Sequence, residues 1–65
     1  MIVTEYVTRT GEVRKIDPLL ADGIVNGAEK GGYRVTREWN PGEFVVNIYR
    51  PSAAGPMLIY TADTV

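Results

Sequence analysis

The chain has 65 residues, with seven lysines and arginines against eight aspartates and glutamates, a net charge of −1, and neither cysteine nor histidine. Those counts exclude disulfides, thiolate metal sites and imidazole ligands, and the near-neutral balance gives no overall pull toward nucleic acid or anionic membrane. Apolar residues at 45% and charged residues at 23% describe a globular sequence. A chain this short buries only about 60% of its unfolded surface, so its core is thin and an oligomeric partner is the staple left to it.

The opening Met1-Ile2-Val3-Thr4-Glu5 has neither a basic n-region nor an apolar h-region. No secretory signal is therefore expected, and the missing cysteines fit a reducing cytoplasm. No apolar run approaches the roughly 20 residues needed to span a bilayer. Residues 2–9 alternate and are rich in β-branched side chains, with Val3, Glu5, Val7 and Arg9 on one side and Ile2, Thr4, Tyr6 and Thr8 on the other, which predicts a strand. Thr10-Gly11-Glu12 punctuates it. Residues 13–16 then read either as a short returning strand or as an extended lead into a helix.

Capping chemistry predicts that helix over 18–30. Asp17 can accept free N–H groups of the first turn, and Pro18 suits the first helical position, where its missing N–H costs nothing. Leu20, Ile24 and Ala28 recur at i+4 beside Ala21 and Val25, giving one apolar stripe. Lys30 complements the C-terminal dipole and Gly31-Gly32 supplies a left-handed stop. Gly23 and Gly27 share one face, and Asn26-Gly27 offers an earlier stop. Where the helix continues, the preferred reading of the glycine pair is tight packing on the protein's own sheet, against a contact with a partner helix.

Residues 33–39 and 44–50 are β-rich and flank Asn40-Pro41-Gly42-Glu43. Proline presets φ at one central turn position and glycine allows φ > 0 at the next, so an antiparallel hairpin is expected. A loop over 51–56 leads to a last strand from Met57 to about Ala62. The prediction is a single α+β domain over residues 1–65: a three- to four-stranded antiparallel sheet with one α-helix packed on one face, in the order β(β)αβββ.

Catalytic chemistry finds little support. Nucleophilic catalysis needs an activated nucleophile beside a base. Ser52 lies in a Pro-Ser-Ala-Ala-Gly loop outside any nucleophile motif, and the carboxylates from Glu5 to Asp63 are scattered without pairing. The glycines match neither a dinucleotide fingerprint nor a phosphate loop. The expectation is a non-enzymatic chain with no catalytic residues, no metal and no cofactor.

The strands carry the functional signal. Phe44, Val46 and Ile48 share a face and form, with Val35, Val3 and Val7, the expected core. Val45 and Tyr49 share the opposite face, and Leu58 and Tyr60 are assigned there with them. An antiparallel sheet with one wet side should alternate apolar and polar, and a helix about 20 Å long and 10 Å wide covers one face only. Val45, Tyr49, Leu58 and Tyr60, flanked where the register allows by Tyr6, Arg34, Thr36 and Asn47, are therefore the expected partner-binding surface; tyrosine and arginine among aliphatics is the composition favoured at interface cores. Trp39 beside the Pro-Gly turn is a second anchor, although capping the end of the core is its preferred role.

The resulting expectation is a small adaptor or inhibitor that docks on another protein, or on itself as a homo-oligomer, through the sheet face or an edge strand. The alternative is a single-stranded nucleic-acid binder, using the sheet tyrosines with Arg14, Lys15, Arg34, Arg37 and Arg50. Against it stand only two lysines, no clustered aromatic–glycine run and an acidic excess.

Overall fold

Six elements follow one another in a computed structural model that describes residues 2–63: β1 (Val3–Val7), β2 (Glu12–Ile16), α1 (Pro18–Lys30), β3 (Arg34–Asn40), β4 (Glu43–Tyr49) and β5 (Leu58–Asp63). The expected domain over residues 1–65 includes Met1, Thr64 and Val65, and the reading of the N-terminus includes Met1; these three lie outside the described residues.

The α+β class is as expected, but the sheet has five strands rather than three or four, in the order β2-β1-β5-β4-β3 and antiparallel throughout. The added strand is β2. It pairs with β1 along its whole length, from Val3 opposite Ile16 to Val7 opposite Glu12, so the returning-strand reading of this segment is the one the chain adopts. Gly11 closes the hairpin at φ 77° and donates its N–H to the Val7 carbonyl at 2.8 Å. The other hairpin turns as expected on Pro41-Gly42, with Gly42 at φ 79°.

Helix α1 runs through Asn26-Gly27 to Lys30. Asp17 caps it by accepting the Leu19 N–H at 2.8 Å. At the other end Gly32 stands at φ 89°, where a residue with a Cβ is strained. The Gly32 N–H bonds the Glu29 carbonyl and the Tyr33 N–H bonds the Ala28 carbonyl, so carbonyls orphaned by the helix end are satisfied in a Schellman arrangement.

The helix lies on the sheet face that carries Val3, Val46, Ile48 and Tyr60, and it buries Ala21 and Val25 against them. Ile24 and Ala28 pack at the margin, while Leu20, expected in the stripe, is 51% exposed. The stripe is centred on Ala21, Val25 and Ala28, which places Leu20 about 100° around the helix. The glycine pair also departs from its expected packing role. A Cβ at Gly23 or Gly27 would meet nothing within 4 Å, so neither glycine accommodates a close approach of the sheet.

Candidate protein-docking face

Side chains of residues paired across an antiparallel ladder share a face, so the register assigns every strand residue. The helix side collects Val3, Glu5 and Val7 of β1, Leu58, Tyr60 and Ala62 of β5, Phe44, Val46 and Ile48 of β4, and Val35, Arg37 and Trp39 of β3. The opposite side has no helix. Its middle row runs Val13–Tyr6–Ile59–Asn47–Thr36 across all five strands. The next row toward the Pro41-Gly42 turn runs Lys15–Thr4–Thr61–Val45–Glu38, and Arg34 lies beside Tyr49 on the other flank.

Of the residues expected at a docking surface, Tyr6, Arg34, Val45 and Tyr49 do lie on this open face. Leu58 and Tyr60 do not. Tyr60 pairs with Glu5 and Val46, points to the helix side and is 3% exposed; Leu58 pairs with Val7 and Ile48 and packs at the core margin. Met57-Leu58-Ile59-Tyr60 is apolar on both parities, so periodicity leaves its facing open, and pairing with β1 and β4 decides it. The aliphatic that β5 presents outward is Ile59, opposite Tyr6 and Asn47. Glu5 carried the missing signal: a carboxylate between two core valines needs buried donors, and a tyrosine on the same side of a neighbouring strand supplies one.

Trp39 lies on the helix side at the end of the sheet, with its ring 4.4 Å from that of Phe44 and tilted 37° to it. It shields one side of Phe44 and remains 75% exposed.

The open face is locally ordered by its own contacts. The Arg34 guanidinium carbon sits 4.0 Å over the centre of the Tyr49 ring, and Nη2 donates to the Ala53 carbonyl at 3.3 Å. Asn47, buried among its neighbours, donates from Nδ2 to Thr36 Oγ1 at 3.4 Å. On the β3, β4 and β5 part of this face charge is separated along the strands, with Glu38, Glu43 and Asp63 at the end beside the Pro41-Gly42 turn and Arg34 toward the other end, while Lys15 of β2 lies in the Glu38 row. The turns at that second end bring Arg9 and Arg50 to a common depression beside Ala53.

The helix side holds a connected polar cluster of Glu5, Arg14 and Tyr60. Glu5 Oε1 accepts from Arg14 Nε at 2.5 Å and Oε2 accepts from the Tyr60 hydroxyl at 2.5 Å. Burial works to raise the Glu5 pKa, but the hydrogen bonds from Arg14 and Tyr60 and the Arg14 charge outweigh it, and the carboxyl titrates below its ordinary value. Burial, then the hydrogen bond to anionic Glu5, pushes the Tyr60 hydroxyl well above the ordinary tyrosine range. Both carboxylate oxygens are engaged within the fold, which makes this cluster a strut between β1, β2 and β5. A cleft of about 250 Å³ opens between α1 and the sheet, lined by Val3, Ala21, Phe44 and Tyr60 with Asp22 alongside. Among the described residues, no three His, Cys, Asp or Glu side chains group to hold a metal ion, and no helix is long and apolar enough to cross a membrane.

Set against protein-family models, curated proteins and solved structures, the chain matches none.

Proposed function

We propose that this protein is a small non-enzymatic binding module working in the cytoplasm, an adaptor, inhibitor or assembly subunit, that docks through the open face of its sheet on another protein or on a second copy of itself. The observation behind this reading is geometric. Five strands at about 4.8 Å spacing make a sheet roughly 24 Å wide, and its lone 13-residue helix lies on one side of it. The other side presents Val13, Tyr6, Ile59, Val45 and Tyr49 along neighbouring rows. Tyrosines with an arginine stacked among aliphatics form a patch of the composition found in interface cores.

The face is a better docking surface than either sheet edge. Edge strand β2 carries Glu12, Arg14 and Lys15, and edge strand β3 carries Arg34, Arg37 and Glu38. Such charges are the usual guard against strand addition. Nucleic acid is the weaker partner because the open face sets Lys15 and Arg34 against Glu38, Glu43 and Asp63. Arg14 and Arg37 lie on the helix side, paired with Glu5 and Glu29.

The test is affinity capture with variants whose fold is checked by circular dichroism. Ile59→Lys places a charge in the middle row and abolishes capture of the bound protein, whereas Leu19→Ser on the outer side of the helix retains it. Equal capture by wild type and Ile59→Lys, or retention of single-stranded oligonucleotides instead of protein, overturns the reading.

A further inference from the structure

Along β3 the open face carries Arg34, Thr36 and Glu38 in succession, with a positive charge, the middle row and a negative charge at equal steps. A two-fold axis laid along the middle row exchanges the two flanks. It brings Arg34 of one copy opposite Glu38 of the other, twice, and Tyr49 opposite Val45. It also sets Val13, Tyr6 and Ile59 each against its own counterpart. Among the described ion pairs, Glu5–Arg14 and Glu29–Arg37, none uses a charge of this face.

We propose that the open face is covered by a second copy of this chain, related by a two-fold axis along the row Val13–Tyr6–Ile59–Asn47–Thr36. This rests on the open face being the docking surface and names its occupant. A self-complementary patch is what an isologous dimer requires. The sheet, about 24 Å by 20 Å, projects roughly 480 Å² per copy, or about 960 Å² for the pair, below the standard size of tight interfaces and in the range of weak, concentration-dependent association. Aligned sheets incline by about 30°, which displaces the edge charges by about 5 Å, within the reach of an arginine side chain. An axis along β5 would instead pair Lys15 with Glu38 but stack Asp63 on its own copy. The dimer is a two-layer sandwich with a helix on each outer side, and it supplies the second hydrophobic layer that one thin core lacks.

Sedimentation equilibrium on the whole chain across a dilution series tests the proposal. Wild type dissociates on dilution and more readily at high salt. Arg34→Glu creates two like-charge contacts at once and weakens the dimer by roughly a hundredfold, at about tenfold for each pair. Glu38→Arg does the same, and the double variant R34E/E38R returns toward wild-type association because each new pair is again opposite in sign. A chain that is monomeric at every concentration overturns the dimer, while capture of another protein lost in Ile59→Lys would leave the face as a docking surface. Rescue by K15E/E38K rather than R34E/E38R overturns the axis. Self-association indifferent to Ile59→Lys overturns both the dimer and the docking face.

Discussion

The Tyr60 hydroxyl donates to Glu5 Oε2 at 2.5 Å, joining the last strand of the chain to the first across 55 positions of sequence. Arg14 completes the arrangement from β2 by donating to Glu5 Oε1. One buried carboxylate thus ties together three adjacent strands, β2, β1 and β5, on the side that the helix covers. Leaving a buried acceptor without its donor costs the desolvation of that group, so the contact matters more when half-broken than when intact.

Tyr60→Phe keeps the ring in the core and removes the donor. Glu5 Oε2 is then buried with one partner fewer, and the variant loses about 1–3 kcal/mol of stability with an unchanged denaturant slope. Urea unfolding followed by circular dichroism measures both quantities. A loss below a few tenths of a kcal/mol would show that the hydroxyl contributes nothing as a strut.

The same pair gives stability a pH profile with two limbs. Glu5 has a folded pKa depressed below its ordinary 4.5, so its contribution is complete above that value and is lost as pH falls through the folded pKa. Tyr60 has a folded pKa raised above its ordinary 10.0, so its contribution is complete below pH 10 and declines as pH rises beyond it toward the folded value. Urea midpoints from about pH 3 to about pH 11 should show a plateau between two declines. In Tyr60→Phe the alkaline decline shrinks, and the acid limb shrinks too because Arg14 alone then holds the Glu5 carboxyl down against its burial. Absorbance titration should find one tyrosine ionising only with unfolding.

Local chemistry made much of this fold legible from the residues alone. Asp17-Pro18 and Gly31-Gly32 bracket the helix at the observed limits, and Pro41-Gly42 places its hairpin, because caps and turns are decided within a few residues. What escaped was set over distance. Strand β2 is a charged edge with little alternation, and only its pairing with β1 identifies it. Strand β5 sits at the centre of the sheet, apolar on both sides, and its neighbours fix which side turns inward. The open face was accordingly half legible: Val45 and Tyr49 follow from alternation in β4, while Tyr6 and Arg34 join them only through the register. Exchanging Tyr60 for Ile59 needed the register.

Two glycines inside α1 and one just beyond its C-cap should respond to alanine with opposite signs. Gly23 and Gly27 are exposed helix-interior positions with open space for a methyl group, so Gly23→Ala and Gly27→Ala should each stabilise by about 1 kcal/mol. Gly32 holds φ 89° in the cap, and Gly32→Ala should destabilise by about 1–2 kcal/mol. Thermal unfolding separates the two outcomes by several degrees each way. Destabilisation by Gly23→Ala would mean that the outer helix face packs on something, and would draw the docking site toward α1.

Trp39, the chain's single tryptophan, reports on the open face by standing apart from it. It lies on the helix side at the sheet's end, 75% exposed against Phe44. Its fluorescence should be that of a wetted indole, readily quenched by iodide, and Trp39→Ala should cost about 0.5–1.5 kcal/mol through the lost ring contact. Because closure of the open face leaves Trp39 uncovered, emission and quenching should stay constant while mass doubles with concentration. A blue shift and protection that grow with association would place the tryptophan in the interface. The partner would then seat on the sheet's end beside the cleft lined by Phe44, and not on the row of Tyr6 and Ile59.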